Sequence, residues 1–433
     1  MPSLRRGLLR NADFLKLWTG QTISVLGTQV TLLAVPILAA VTLQVSPFEF
    51  GLLTTIEFLP FVLLSLPAGV WVDRLRRRPI LISADLGRAI SLLSIPVAFA
   101  FDALTIWQLY VVVFVNGCLT VFFDVAYQSY LPSIVGRDEL VEGNAKLELT
   151  RTVSQRIGPG IAGVMIGVLT APFAVLIDAI SYVVSTVLLL WIRGTEPLAP
   201  PRDDATAPRP SMRAEIVVGL RYVTGQRWLR GLALTVALGS LFGTIADSIL
   251  ILYLVTEHQF PPGLIGLAFS IGSVGIIAGA LIASRVTKAI GVGPTIVLAA
   301  VGESLSWLPV AAAPDGLLFA GLTTTIVALG FFGVGWQVNA VSLRQAITPR
   351  SMQGRVNATM RFISWSAIPL GSVLGGFLGG VIGLHNTIWL GAMGSLVVFV
   401  PVAFSSIWGV REMPGAEPQP GGEAGSEHEV AGA

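Results

Sequence analysis

Charged residues are scarce in this chain, and their scarcity excludes most soluble classes of protein. Only 12% of the 433 residues are charged and 53% are hydrophobic, whereas a soluble domain carries about 25% charged residues. A single cysteine, Cys118, excludes a disulfide framework and a cysteine metal cluster. The three histidines fall in predicted outer loops and the tail, and no Walker-type phosphate loop is present. We therefore predict no catalytic residues, no metal site, no cofactor and no ATP hydrolysis.

Long apolar runs fill most of the chain, with a mean hydropathy of +0.77. Each run approaches the roughly 20 residues that a helix needs to cross a bilayer. Open β-structure is excluded in lipid because its unpaired backbone groups would cost too much free energy. The sequence therefore predicts an all-α membrane protein with twelve transmembrane helices, at about 17–42, 49–72, 80–101, 106–130, 150–169, 173–192, 231–255, 263–284, 293–313, 317–342, 358–382 and 386–408.

The basic residues predict the orientation of these helices. All 27 lysines and arginines fall in the N-terminal segment, in alternate loops or in the helix ends beside those loops. The remaining loops carry acids and no basic residue, as Asp102 and Asp315 illustrate. Because basic loops remain on the cytoplasmic side, we expect both termini in the cytoplasm and a multi-pass protein of a bacterial-type plasma (inner) membrane.

An internal repeat divides the predicted helices into two groups of six. Asn144-Ala145 recurs 213 residues later as Asn357-Ala358, and Gly163 recurs at the same spacing as Gly376. Because both groups enter from the same side, the repeats are parallel. The predicted parts are an N-terminal six-helix bundle at 1–192, a cytoplasmic linker at 193–230, a C-terminal six-helix bundle at 231–410 and a disordered tail at 411–433.

The linker is predicted to contain an interfacial helix. A proline-rich stretch from Pro197 to Pro210 indicates flexible chain, and the next segment, 211–227, has a helical pattern. Ile216, Leu220 and Val223 would share one apolar face of this helix. A helix of this type lies in the interface of a membrane.

A short basic loop lies between the second and third predicted helices. It reads Gly-Val-Trp-Val-Asp-Arg-Leu-Arg-Arg-Arg from Gly69 to Arg78. This pattern resembles the loop signature of the major facilitator superfamily. The resemblance implies a cytoplasmic gate motif, to which we add a helix-three pair three residues apart; its residues are Gly69, Asp73, Arg74, Arg77, Arg78, Asp85 and Arg88.

Other stretches narrow the resemblance to one branch of that superfamily. Gly158, Pro159 and Gly163 lie in a segment that resembles the signature of drug:proton antiporters, although a plain packing seam would also explain it. Segments 14–21, 178–182 and 219–223 resemble the branch that holds bacterial macrolide, tetracycline-type and siderophore exporters. One departure is that helix four lacks the mid-helix arginine of many such antiporters.

Acidic residues inside predicted helices are the best candidates for coupling chemistry, because charge in hydrocarbon is costly and usually functional. In the resembled fold, helices 1, 4, 7 and 10 line the cavity. This places Asp124 and Asp247 at the cavity and leaves Glu303 and Asp178 to packing or capping. Because helices 1, 2, 7 and 8 close the outer gate of the resembled fold, Glu57 joins Asp247 and Asp124 as a proton-coupling candidate. The other cavity candidates are Gln29, Asn116, Phe242, Phe331 and Trp336.

These features predict a secondary transporter that works by alternating access. The resemblance implies proton-coupled export as the favoured function. The substrate is expected to be a lipophilic, neutral or cationic small molecule, because basic residues remain near the cytoplasmic ends of the helices. Uptake or facilitated transport of a metabolite is the alternative, since a fold alone does not set direction. A membrane enzyme would need a cluster of nucleophile, base or metal ligands, which the sequence lacks. The expected partners are the substrate, protons and the bilayer, without nucleic acid or ATP, and the chain is expected to be a monomer.

Overall fold

The structure, a computed structural model, describes residues 8–72, 75–136, 139–194 and 212–413. Within these ranges the regular structure is helical, with no β-strand. Six helices form the first half, and a π-helical turn at Leu38–Thr42 extends the first of them. They are α1 (Ala12–Ile37), α2 (Pro47–Val72), α3 (Arg77–Ala100), α4 (Ile106–Ile134), α5 (Leu140–Leu169) and α6 (Ala171–Leu190).

The second half repeats this plan after one short additional helix, and two of its spans are broken. The break in the third span precedes Pro309, and that in the last span precedes Pro401, which suits the loss of a backbone donor at proline. The helices are α7 (Met212–Gly225), α8 (Arg227–Thr256), α9 (Pro262–Ile290), α10 (Val292–Leu305), α11 (Leu308–Ala312), α12 (Leu318–Ile347), α13 (Arg350–Ile382), α14 (Leu384–Ser395) and α15 (Val400–Ala403).

Eleven spans among the described residues are long and apolar enough to cross a membrane, counting α10 with α11 and α14 with α15 as one span each. The helix outside this set is α5, which is 30 residues long and begins at Leu140 rather than near residue 150. Its first turns carry Glu142, Lys146, Glu148 and Arg151, which lower its hydropathy. Because α5 packs between α1 and α9, it completes a bundle of twelve spans.

The two halves show the same pattern of helix contacts. In the first half α1 packs against α5 and α6, and α4 packs against α2 and α3. In the second half α8 packs against α13 and α14, and α12 packs against α9 and α10. Each helix of one half thus has a counterpart in the other.

Two crossings of glycine-containing helices join the halves. Gly51 of α2 lies against Gly376 of α13, and Gly266 of α9 lies against Gly163 of α5, with backbone facing backbone in both cases. A Cβ atom added at Gly163 would lie 2.7 Å from the carbonyl oxygen of Pro262. Small residues therefore let these helices approach closely, as at many membrane helix interfaces.

The space between the halves widens toward one end of the molecule. We call this end the basic side, because α2, α4 and α6 end there and α3 and α5 begin there, beside the basic loops; the other end is the opposite side. Both glycine crossings lie near the opposite side, where α2 and α9 begin, and the π-helical turn after α1 contacts α8 there. Among the described residues, α4 and α12 have no extensive contact with the other half. The structure is therefore closed at the opposite side and open at the basic side.

The linker helix α7 lies at the basic side and packs against α8 and α13. Val223 is fully buried, and Gly219 lies against the backbone of Arg355. Leu220 is instead 45% exposed, so it does not share the protein-facing surface with Val223. The buried stripe follows Gly219 and Val223 because glycine permits the close approach to α13. The proline-rich stretch lies outside the described residues, and so does the predicted disordered tail apart from 411–413.

Candidate functional site

A cavity of about 780 Å³ runs through the first half and is lined by side chains from all six of its helices. It extends to Leu147 and Arg151 near the basic end of α5. Phe61 lines this cavity and also a smaller pocket shared with α13, so the cavity borders the second half. The charged and larger polar side chains of its lining include Gln21, Gln29, Glu57, Arg88, Asn116, Asp124, Gln128, Glu148, Arg151, Gln155, Asp178 and Tyr182.

Glu57 projects into the cavity from the middle of α2. It lies ten residues after Pro47, the start of the helix, which is about 15 Å at 1.5 Å per residue. Pro60, on the next turn, packs against Gly117 of α4, and this close contact fixes the backbone beside Glu57. No described residue forms a hydrogen bond or ion pair with the Glu57 carboxylate. The group is therefore available to water, a proton or a ligand in the cavity.

Asp124 and Asp247 are two further acids in membrane-spanning helices with exposed side chains. Asp124 lines the cavity from α4, where it is exposed. Asp247 on α8 is exposed although protein crowds its surroundings, and it is not among the residues that line the large cavity. Neither carboxylate has a hydrogen bond or ion pair with any described residue. Glu303 of α10 is likewise without such a partner in the described part of the chain, and it is half-buried.

Arg88 is the centre of a buried polar cluster in the first half. Its guanidinium pairs with Asp85 one turn earlier on α3, and both side chains are buried. The same guanidinium lies over the rings of Phe123 and Tyr182, 4.3 Å from each ring centroid. The sequence assigned the pair to a cytoplasmic gate network. In the structure, Arg88 lies eleven residues after Arg77, about 16 Å into the bundle, and faces the cavity.

Asp178 belongs to the wall of the same cavity rather than to a helix cap. Its carboxylate accepts hydrogen bonds from Thr31 of α1 at 2.5 Å and from Ser181 at 3.0 Å. The neighbouring Tyr182 hydroxyl shares a 2.8 Å hydrogen bond with Thr28. These hydrogen bonds suit the expected packing role of Asp178, although the residue also lines the cavity. Because α6 packs against both α1 and α3, it turns Asp178 inward.

The remaining predicted cavity residues divide between two places. Gln29 and Asn116 line the large cavity, where the Asn116 amide donates to Ser91 at 2.7 Å. Trp336 lines a separate pocket in the second half.

Two predicted aromatic residues do not line the described pockets. Phe242 packs its ring against Gly394 of α14, which has no side chain to exclude it. Phe331 forms an edge-to-face contact with Phe332, with ring centroids 5.1 Å apart, and its backbone lies against Gly279 of α9.

The predicted gate motif is only partly described by the structure. Asp73 and Arg74 lie outside the described residues. Gly69 has open space where a side chain would be, and Arg77 begins α3. Arg78 donates from Nη2 to the carbonyl oxygen of Leu190 at 2.8 Å, so it caps the basic end of α6.

The antiporter-like segment forms one of the two glycine crossings. Gly158 packs against the side chain of Gln29, while Gly163 and the carbonyl of Pro159 face Gly266 of α9. The segment therefore joins α5 both to α1 and to the second half. This geometry fits the simpler interpretation as a packing seam and leaves its influence on transport open to experiment.

Sequence reasoning placed Arg88 in the cytoplasmic gate network, whereas it faces the cavity, and it did not single out Arg361. Arg361 lies eleven residues after the start of α13 at Arg350. Arg361 and Arg344 line a pocket of about 380 Å³ between α8, α12 and α13. The misleading signal was their position next to basic loops, which made them look like topology signals. Counting how many residues each arginine lies from the start of its helix could have found them.

Comparisons with known proteins place this architecture in a family. The family described as transmembrane secretion effector matches residues 7–418. The chain is similar to multidrug efflux pump Tap of Mycolicibacterium fortuitum, 27% identical over 413 residues that cover 93% of this chain and 97% of that protein. It is also similar to macrolide efflux protein A of Streptococcus pyogenes, 22% identical over 407 residues that cover 92% and 97%.

A solved structure shares the fold over nearly the whole chain. It is a bacterial homologue of the iron transporter ferroportin in an inward-facing state, with a TM-score of 0.70, 17% identity and coverage of 92% of this chain and 99% of that one. Together with the family match and the twelve-span bundle, these likenesses support a non-enzymatic membrane transporter of small molecules. The chain belongs to the transmembrane secretion effector family of major facilitator superfamily transporters.

Proposed function

We propose that this transporter exports a lipophilic, neutral or cationic small molecule in exchange for protons. The basic side would face the cytoplasm of a bacterial cell, with both termini there, and the protein would act as a monomer in the inner membrane without ATP. Substrate would enter the cavity from the cytoplasm or the adjoining leaflet. It would leave after the two halves rock about the glycine crossings and open the opposite side.

The observation that carries this proposal is the combination of acids and aromatic rings in the cavity wall. Glu57 and Asp124 present unpaired carboxylates to the cavity, and Phe58, Phe61 and Tyr127 line it beside them. An apolar or aromatic body can pack against the rings, and a cationic group is attracted by a carboxylate and by ring faces. Arg88 and Arg151 also line the cavity, but each is paired with an acid. The wall therefore suits lipophilic cations better than sugars or phosphorylated metabolites.

The same acids supply a means of coupling. A carboxylate that binds a substrate cation cannot also hold a proton, so the two compete for it. If Glu57, Asp247 or Asp124 binds a proton from outside and releases it inside, each cycle moves a proton inward as substrate moves outward. Coupling needs only that proton and substrate bind the two conformations with different affinities.

The names of two relatives support export as the direction of transport. Multidrug efflux pump Tap and macrolide efflux protein A are exporters by name, and both align over nearly their full length. Their identity to this chain is 27% and 22%, so the substrate of this chain is a separate question. The alternative function, uptake, moves substrate in the opposite direction, so a single assay of transport direction separates it from export.

Everted membrane vesicles test the proposal. Vesicles that contain the protein should accumulate dyes such as ethidium and members of an antibiotic panel when the interior is acidified. Accumulation should collapse when a protonophore removes the gradient, and it should not require ATP. Vesicles without the protein provide the baseline. Accumulation driven by ATP alone, or gradient-driven loss of substrate from the vesicles, would refute proton-coupled export.

A further inference from the structure

A second pocket lies in the other half of the molecule, away from the acid-lined cavity. It encloses about 380 Å³ between α8, α12 and α13. Two tryptophans supply aromatic walls and two arginines supply charge. Its lining is Leu232, Val236, Trp336, Gln337, Ala340, Val341, Arg344, Gln345, Asn357, Met360, Arg361, Ser364 and Trp365.

The two guanidinium groups have no acidic partner among the described residues. No carboxylate in that part of the chain lies within ion-pair distance of Arg344 or Arg361, and no Asp or Glu lines the pocket. The Nε atom of Arg344 is buried and has no hydrogen-bond partner there. Arg361 lies over the ring of Trp365, 5.4 Å from its centroid. A buried donor without an acceptor is costly, which points to an acceptor supplied from outside the chain.

Arg361 lies on α13 itself rather than in a loop. It follows the start of this 33-residue helix by eleven residues, and its exposed side chain lines the pocket. In the internal repeat it occupies the place of Glu148, 213 residues earlier, which lines the acid-rich cavity. Equivalent positions of the two halves therefore carry opposite charge.

The other pocket residues suit a planar anion attached to an apolar body. Guanidinium groups bind carboxylates through paired N–H donors in a fixed plane. Gln337, Asn357 and Ser364 add amide and hydroxyl groups to the lining, and the tryptophans offer flat apolar surface. Phe61 of α2 packs edge-to-face on Trp365, with centroids 5.2 Å apart, so the pocket adjoins the space between the halves.

We propose that Arg344 and Arg361 form a carboxylate-binding subsite for an amphipathic organic anion, with Trp336 and Trp365 holding its aromatic body. The subsite extends the proposed substrate range to amphoteric compounds, whose cationic group faces the acids of the first half while the carboxylate lies in the second. It rests on the proposed function only in treating the space between the halves as the substrate path.

Equilibrium binding to the purified full-length protein in phosphatidylcholine nanodiscs tests the subsite without any gradient. The probes are 1-naphthaleneacetate and its uncharged analogue 1-naphthaleneacetamide. The wild type should bind the carboxylate more tightly than the amide. Arg344→Gln and Arg361→Gln should each weaken carboxylate binding by about tenfold, as expected for a charged hydrogen bond, and leave amide binding unchanged. Arg285→Gln, at an exposed arginine outside the pocket, is the matched control.

Several outcomes would overturn the subsite. Equal affinity for carboxylate and amide, or carboxylate binding that neither Gln variant weakens, would remove the basis for it. If phosphatidylglycerol in the nanodisc competes with the probe and depends on the same arginines, the pocket holds a lipid phosphate instead. Arg361→Lys, which retains the charge, serves if the Gln variant does not fold, and it should lose part of the affinity. Because no transport is measured, failure of proton-coupled export would not alter these results.

Discussion

Acidic side chains in the transporter differ chiefly in whether they have partners. Asp178 accepts hydrogen bonds from Thr31 and Ser181, and Asp85 is paired with Arg88. Glu57, in contrast, lines the cavity without a partner among the described residues. A partnered acid holds structure in place, and an unpartnered one is free to change its protonation with little loss of packing. Coupling is therefore expected from the second group.

Neutral substitutions of the unpartnered acids should uncouple transport. We predict that Glu57→Gln or Asp247→Asn abolishes uphill efflux while substrate still equilibrates down its gradient, because the amide retains shape but cannot release a proton. Efflux against a gradient and passive equilibration are measured in the same cells at matched expression. Glu49→Gln, on a surface turn of α2, serves as the control. Normal uphill efflux in both test variants would leave Asp124 as the remaining candidate.

The buried pair of Asp85 and Arg88 should matter to stability. Removing one partner of a buried pair costs about 3–5 kcal/mol, because the other charge remains uncompensated. We predict that Arg88→Gln lowers the unfolding temperature of the purified protein clearly, and that adding Asp85→Asn restores part of the loss. Arg151→Gln breaks an exposed pair with Glu148 and should change the unfolding temperature little. An unfolding temperature of the Arg88→Gln protein equal to the wild-type value would contradict the assignment.

At this scale the sequence could predict which acids enter the membrane but not what surrounds them. Glu57 and Asp124 were candidates because charge in an apolar run is conspicuous. Asp178 faces inward because of the way α6 packs against α1. The sequence placed Arg88 only by its distance from a loop. The direction in which each side chain points depends on helix rotation, which a near-uniform apolar pattern does not encode, since membrane helices bury apolar residues on every side.

At the two glycine crossings, α5 meets α9 and α2 meets α13 with backbone against backbone. The two crossings are related by the internal repeat, with Gly163 in one and Gly376 in the other. Few large side chains interlock at these contacts, although Thr55 bonds Ser372 beside one crossing and Ser273 bonds the Arg156 carbonyl beside the other. The crossings are suited to act as pivots while the halves rock.

Adding one methyl group at a crossing should impair transport. A Cβ atom at Gly163 would lie 3.0 Å from the Cα atom of Gly266, and one at Gly376 would lie 2.7 Å from the carbonyl oxygen of Pro47. Overpacking of this kind costs about 1–3 kcal/mol. We predict that Gly163→Ala and Gly376→Ala lower the transport rate and the unfolding temperature.

The repeat also supplies matched controls for this test. Gly167 and Gly380 lie one turn further along α5 and α13, and an added Cβ atom would meet nothing within 4 Å at either position. Gly167→Ala and Gly380→Ala should therefore transport at the wild-type rate. Equal effects of all four substitutions would show that contact at the crossings is unimportant.

Element boundaries were predictable where the chain is apolar and less so where it is charged. The number of spans and the linker helix could be read from hydropathy and periodicity. The early start of α5 could not be read in this way, because its first turns are as polar as a loop. The breaks after Leu305 and Ser395 were also missed, since both segments are continuously apolar.

The molecule as a whole is closed on one side and open on the other. Its two halves share a contact pattern but differ in charge. Four acids and two arginines line the cavity of the first half, whereas two arginines and no acid line the pocket of the second. The parallel repeat was predictable from recurring residues at one spacing. The charge difference was not, because it depends on which residues line the space between the halves.

Orientation is testable with single cysteines in a Cys118→Ser background. We predict that cysteines at Ser46, Asp102 and Asp315, which are exposed at the opposite side, react with a membrane-impermeant thiol reagent added to intact cells. A cysteine at Arg76, exposed at the basic side, should react only after the membrane is opened. Labelling of the Arg76→Cys protein in intact cells would reverse the assigned orientation.

The most direct test of proton-coupled export measures both fluxes in one preparation. Purified protein is reconstituted into proteoliposomes with a trapped pH dye, and ethidium, or the best substrate found in everted vesicles, is added on one side. We predict that substrate movement drives protons the opposite way, and that the triple variant Glu57→Gln, Asp247→Asn and Asp124→Asn moves substrate without protons. Substrate transport by the wild type with no proton movement, or with protons moving in the same direction, would contradict the account.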